Sequence, residues 1–208
     1  MEKTIIMTGF EPFGGSEINP SILACKDFNN KIIMDYRIKT YEIPLRFSEI
    51  KNKIETIVEE NKPSIVICTG QSPRATISIE RVAINIADIK KSAYNCGAVP
   101  KDEILEQRAP AGYFSTLPIK EIQKNLEENL IPIEISNSAG TYGCNQIFYH
   151  LMHFINMNEY NIPAGFIHVP SLPEQVVGKI IPSMSLDLIK KALTIILNTV
   201  IENLESKK

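Results

Sequence analysis

A chain of 208 residues, 44% hydrophobic and 22% charged, is long enough for one sizeable core and has the composition of a folded globular domain. Its net charge of −2 offers no general attraction to nucleic acid or to an anionic membrane. No segment approaches the ~18–20 apolar residues of a membrane span, and Ile5-Ile6-Met7 is too short a run for an export signal, so a cytoplasmic setting is expected.

Lys3 to Thr8 is predicted to form a first strand, which runs into the turn-rich segment from Gly9 to Gly15. Asn19 can cap a helix that begins at Pro20 and continues to about Phe28. Ile32 to Ile43 is predicted as one strand, stopped by Pro44. Phe47, Ile50, Ile54, Ile57 and Val58 recur at helical spacing and predict a helix from Phe47 to Glu60. The continuous apolar run from Ser64 to Cys68 fits a strand buried on both faces, with a turn at Thr69-Gly70-Gln71. Ser78 to Asp88 is predicted as one further strand, followed by an irregular excursion over residues 89 to 117. The remaining pattern predicts helices at Ile119–Leu130, Asn145–Met157 and Ser185–Leu204, and strands at Ile133–Ser136 and Ala164–Val169. The alternation predicts an α/β fold in a single domain, with a largely parallel sheet and helices on both faces. Ligands of such sheets sit at the carboxyl ends of the strands, so the loops after Ile6, Cys68, Ile135 and Val169 are expected to converge.

Cys25, Cys68, Cys96 and Cys144 are scattered and form no CxxC pair, which argues against a disulfide scaffold. His150 and His153 have no cysteine or carboxylate at ligand spacing beside them, so no zinc site is expected. Chemistry by cysteine should therefore come from one activated thiol. Cys144 stands between a predicted strand and a predicted helix, where unpaired N–H groups lower a thiol pKa and can serve as an oxyanion hole. It is expected to react with iodoacetamide ahead of Cys25, Cys68 and Cys96. Its bland reading is a small buried hydrophobe. His168 closes a predicted strand at the same sheet edge and supplies a base, although a lone histidine there is more often structural. Glu80 lies inside an apolar strand, where a carboxylate needs a partner. An ion pair with Arg74 or Arg81 is one explanation, and the orientation of a histidine ring is the other.

Thr8-Gly9-Phe10-Glu11-Pro12-Phe13-Gly14-Gly15, followed by Asn19-Pro20-Ser21, resembles the opening of the pyroglutamyl peptidase type I (pyrrolidone carboxyl peptidase) family. So do Glu80-Arg81-Val82-Ala83-Ile84-Asn85, Ser138 to Tyr142 with Cys144-Asn145, and Gly165-Phe166-Ile167-His168-Val169-Pro170. Leu172-Pro173-Glu174-Gln175 and Ser183-Met184-Ser185-Leu186 complete a set that keeps the family order along nearly the whole chain. The resemblance implies a three-layer α/β/α sandwich and a Glu80–Cys144–His168 triad acting on peptides with an N-terminal pyroglutamate. It also implies no cofactor or metal, and a homo-oligomer that is often a tetramer. By the same match Phe10 and Phe13 wall a pocket for the lactam ring, with Asn19 and Gln71 beside it; without it, both phenylalanines are loop anchors.

The chain departs from that family in places. Ser72-Pro73-Arg74 stands where a Gly-Gly-Arg run is usual, Lys90 where an active-site arginine is, and Lys91-Ser92-Ala93-Tyr94-Asn95 replaces an Ile-Pro-Asp-Asn stretch. Gly143 stands where valine is common, which predicts a missing pocket wall, a high KM, and a gain in kcat/KM for Gly143→Val. The alternative is that Gly143 adopts a positive φ that valine cannot. Two other functions fit parts of the sequence. One is a non-catalytic homologue that binds a pyroglutamyl or lactam ligand. The other is a phosphate-binding or nucleoside-phosphorylase-like enzyme, disfavoured because Gly9 to Gly15 has neither a Walker lysine nor GxGxxG spacing.

Overall fold

The apolar runs become the strands of one seven-stranded sheet in the computed structural model, which describes residues 3–89 and 93–207. Its strands are β1 (Lys3–Phe10), β2 (Ile32–Ile33), β3 (Tyr36–Ile43), β4 (Ile65–Gln71), β5 (Ile77–Glu80), β8 (Ile133–Ser136) and β9 (Ala164–Val169), in the order β2-β3-β1-β4-β9-β5-β8. β6 (Val82–Ile84) and β7 (Gly112–Phe114) form a separate antiparallel ribbon. β3, β1, β4 and β9 run parallel.

Helices α1 (Pro20–Lys26), α3 (Ile119–Glu128) and α5 (Leu186–Glu205) share one core with Ile5, Met7, Ile65, Ile67 and Ile167. Helices α2 (Ile50–Asn61) and α4 (Gly143–Met157) share the other with Ile6, Val66, Cys68 and Phe166. Successive side chains of one strand thus enter different cores, which is why runs such as Ile5-Ile6-Met7 and Ile65-Val66-Ile67-Cys68 are apolar at successive positions. The result is the expected α/β/α sandwich. Asn19 caps α1 by accepting from the Ser21 amide at 3.0 Å, and Ser185 caps α5 by accepting from the Leu188 amide. No helix among the described residues is long and apolar enough to cross a membrane.

Three expectations are corrected. The strand expected over Ile32–Ile43 is a hairpin, broken where Met34 and Asp35 both take positive φ (47° and 69°). The strand expected over Ser78–Asp88 ends at Arg81, whose N–H donates to Ser136 O while its carbonyl accepts from Ser115 N. Glu80 thereby ends a main-sheet strand and Val82 begins the ribbon. Finally, β5 and β8 run parallel to each other but antiparallel to β9, so the end of β8 does not share the carboxyl edge of β1, β4 and β9. Residues 137–142 carry the chain back to that edge before α4 begins, and Gly140 takes a positive φ of 79° on the way.

Candidate active site

Reversal of β5 brings Glu80 to His168. In the β5–β9 register Glu80 faces Phe166 and Ser78 faces His168, so Glu80 and His168 are diagonal neighbours on one face of the sheet. Both are buried, Glu80 completely. Glu80 Oε1 lies 2.7 Å from His168 Nδ1. A carboxylate only accepts, so the imidazole carries a proton on Nδ1, and in the neutral ring Nε2 then holds the lone pair. Phe166 packs edge-on against the ring, with centroids 4.9 Å apart. Arg74 donates through Nη1 to the same Glu80 Oε1 at 2.9 Å and supplies the opposite charge that a buried carboxylate needs. Both sequence-level explanations of Glu80 therefore hold together. Arg81 turns instead to Asn137, donating through Nε at 2.8 Å.

The nucleophile candidate comes from the opposite layer. α4 begins at Gly143, two residues earlier than its pattern predicts, so Cys144 lies inside the first turn. The first intrahelical bond runs from the Gln146 amide to the Tyr142 carbonyl, and the amides before it have no partner within the helix. The thiol settles onto β4 at Gly70, which stands beside His168 in the β4–β9 register. A Cβ on Gly70 would lie 2.7 Å from both the Cys144 Sγ and the Phe166 ring, so glycine is required for this approach. Gly70 was missed as a functional position because β4 continues through Gln71, where a turn is expected from sequence.

Burial pushes the Cys144 thiol up to about 12, and the Glu80 carboxylate adds to the rise, against the opposing influences of Arg74 and the residue's own backbone N–H. The helix terminus does not outweigh desolvation here, contrary to expectation. Cys25 and Cys68 are fully buried, and burial pushes both to about 12, whereas Cys96 is exposed. Cys96 is thus the most exposed thiol, while Cys144 is half-buried at the cavity.

Cys144 and His168 open into one cavity of about 380 Å³, walled by Phe10, Phe13, Leu45, Gln71, Arg74 and Tyr142 among others. Phe13 and Tyr142 meet edge-on across it, with centroids 6.3 Å apart. Gln71 lines the cavity while donating to Ser171 Oγ at 2.9 Å. Asn19 is buried and does not line it. Its amide donates to Glu11 O at 3.1 Å and its carbonyl oxygen accepts from Ser21 Oγ, while Ser21 Oγ accepts from the Phe10 amide. Asn19 therefore braces the loop that carries both phenylalanines. Lys90 lies outside the described residues. Gly143 is buried, does not wall the cavity and has no positive φ, so neither expectation for it holds. Its missing Cβ points at Leu45, whose Cδ1 lies 2.3 Å from where that atom would stand. Leu45 fills the space and forms the wall itself. No local pattern marks Leu45, because its partner lies almost one hundred residues away.

The family model described as pyroglutamyl peptidase matches residues 3–203. The chain belongs to that family. With membership comes the class of cysteine-type hydrolases. The pyrrolidone-carboxylate peptidase of Bacillus licheniformis is 45% identical over 196 residues, covering 94% of this chain and 91% of its own. Among solved structures, the pyroglutamyl peptidase I of Bacillus amyloliquefaciens superposes with a TM-score of 0.92 at 40% identity, over 96% of this chain and 95% of that one. The pyrrolidone carboxyl peptidase of Thermococcus litoralis gives 0.94 at 38% identity, over 99% and 96%. Similarity to pyroglutamyl peptidases thus extends over the whole sandwich, β5 and α4 included.

Proposed function

We propose that this chain hydrolyses the bond after an N-terminal pyroglutamate through a Cys144–His168–Glu80 triad and a thioester intermediate. The observation that carries the reading is the buried Glu80 Oε1–His168 Nδ1 bond of 2.7 Å beside a cavity that also holds Cys144. His168 Nε2 takes the thiol proton as Sγ attacks the carbonyl carbon of the pyroglutamyl group. Electrons move onto the carbonyl oxygen, which the amides of the first turn of α4 are placed to stabilise. Collapse expels the amine, which takes the proton from His168. Water, deprotonated by the same ring, then releases pyroglutamate and restores the thiol. Glu80 holds the tautomer and offsets the imidazolium charge that arises in both halves.

The cavity suits the acyl group. Phe10, Phe13 and Tyr142 offer flat apolar faces, and no carboxylate lines it among the described residues, so a free α-ammonium finds no partner among them. Four free cysteines suit a reducing cytoplasm. A homo-oligomer belongs to the same proposal, because Val177 and Ile180 stand exposed where a second copy would cover them. The deciding experiment is release of a chromophore from a pyroglutamyl anilide by the wild-type chain and by Cys144→Ala. Turnover that disappears in the variant is expected. Binding of the anilide without turnover by the wild type would instead establish the lactam-binding reading.

A further inference from the structure

Arg74 has no part in the steps above, yet it touches three separate parts of the site. It stands on the segment between β4 and β5 with a side chain 34% exposed. Nη1 donates at 2.9 Å to Glu80 Oε1, the oxygen that also takes the His168 Nδ1 proton, and lies 3.3 Å from Glu134 Oε1 on β8. Nη2 donates at 3.2 Å to the carbonyl of Ser138, which also accepts from Ser136 Oγ at 3.1 Å. Ser138 belongs to the segment that returns the chain to Cys144. One guanidinium therefore joins the buried acid, the edge strand and the approach to the nucleophile.

We infer that Arg74 is a positioning residue of the reaction, holding Glu80 ionised and aimed at His168 while fixing the segment that sets Cys144. The inference rests on the peptidase reading and deepens it. Glu80 is wholly buried, and its Oε2 has no hydrogen-bond partner among the described residues. The titratable and charged groups around it are Arg74 from the preceding segment, His168 from β9, Cys144 from α4 and, through Arg74, Glu134 from β8. A buried carboxylate facing a neutral imidazole alone is poorly stabilised. Without the guanidinium, the unneutralised Glu80 carboxylate draws a proton onto His168. A doubly protonated His168 has no lone pair on Nε2 with which to accept the thiol proton. That removes the base, and Arg74 prevents it by neutralising Glu80 before His168 is charged. Lysine keeps the charge but cannot span Glu80 and Ser138 with one planar fork.

The test compares Arg74→Met and Arg74→Lys with the wild type, using kcat and KM on a pyroglutamyl anilide, the pH profile of kcat/KM, and the NMR titration of the His168 ring. The last needs no turnover and is tractable with three histidines in the chain, so a failed peptidase reading is told apart from a failed inference. Arg74→Met is expected to lower kcat by about tenfold or more with KM little changed. It should also move the acid limb of kcat/KM to higher pH and leave the His168 ring protonated to higher pH. Arg74→Lys should restore both pH behaviours and recover kcat in part. A raised KM with kcat intact would make Arg74 a substrate contact and overturn the inference. A lower melting temperature with kcat, the acid limb and the His168 titration all unmoved would overturn it too. If Arg74→Met does not fold, an Arg74→Lys variant with kcat lowered, KM kept and the pH profile of the wild type supports the inference, and one with wild-type kcat or with only KM raised overturns it.

Discussion

Replacing Gly143 with valine reverses sign between sequence and structure. Sequence comparison expects a gain, because two methyl groups would restore a wall. In the structure that wall is occupied. A Cβ at position 143 would stand 2.3 Å from Leu45 Cδ1, where ordinary contact begins at 3.4 Å, so the leucine tip must retreat by more than 1 Å. Its backbone cannot follow, since the Leu45 amide donates to Glu11 Oε1 at 2.8 Å and its carbonyl accepts from the Asn95 amide at 2.9 Å. The ring of Tyr94 and the tip of Ile50 lie 3.6 and 3.7 Å from the same Cβ position and close the sides. The space left for Leu45 is the cavity. An intruding methyl group there costs about 1–3 kcal/mol of acyl-group binding, or roughly 10- to 200-fold in kcat/KM. Strain in the surrounding packing costs about 1–3 kcal/mol of stability. Steady-state kinetics on a pyroglutamyl anilide should show the loss mainly in KM, and Leu45→Ala in the valine background should recover most of it. A folded Gly143→Val enzyme with kcat/KM equal to or above wild type would refute this reasoning.

The triad is tested by the contrast between Glu80→Gln and His168→Ala. The first should fold and lose kcat with KM nearly kept, and the second should lose nearly all turnover; unchanged kcat in Glu80→Gln would reduce Glu80 to an ion-pair partner. His150 is buried 3.1 Å from Glu106, and burial lowers its pKa from 6.5 to about 4. The unfolded chain takes up that proton first, so stability should fall as pH drops from 6.5 towards 4, and His150→Gln should flatten this part of a melting-temperature profile. An equally steep profile in the variant would assign the loss to other groups. Ile180→Asp should lower the molar mass measured by light scattering, and an unchanged mass would remove that exposed residue from the proposed contact between copies.

Sequence made legible what depends on neighbours along the chain. Asn19-Pro20 marked the start of α1, the run Ile65-Val66-Ile67-Cys68 marked a strand covered on both faces, and Ser185 marked the start of α5. Glu80 stood out because a carboxylate in an apolar strand needs a partner, and the structure provides two. What was hidden depends on the other side of the fold. Alternation breaks at Glu80-Arg81, but that break does not show that the Arg81 carbonyl leaves the sheet to accept from Ser115. Strand direction leaves no trace in an apolar pattern, hence the unexpected reversal of β5 and β8. Gly143 was misjudged because its meaning is decided by Leu45. Desolvation of Cys144 was invisible for the same reason, since the strand that covers its sulfur is β4.

The antiparallel junction of β5 with β9 also bears on how activity is born. It joins residues 78–80 to 166–168, and until it zips up the acid and the base are held on separate pieces of chain. α4 and its cysteine lie in the stretch between them, so this closure traps the helix carrying the thiol inside the loop it completes. Pairings between such distant segments are slow relative to helix formation. On the proposed triad, regained turnover during refolding times the closing of this one seam and should trail the return of helical circular dichroism. A chain cut by a protease within that loop would have to bring the two strands and the helix together as separate pieces.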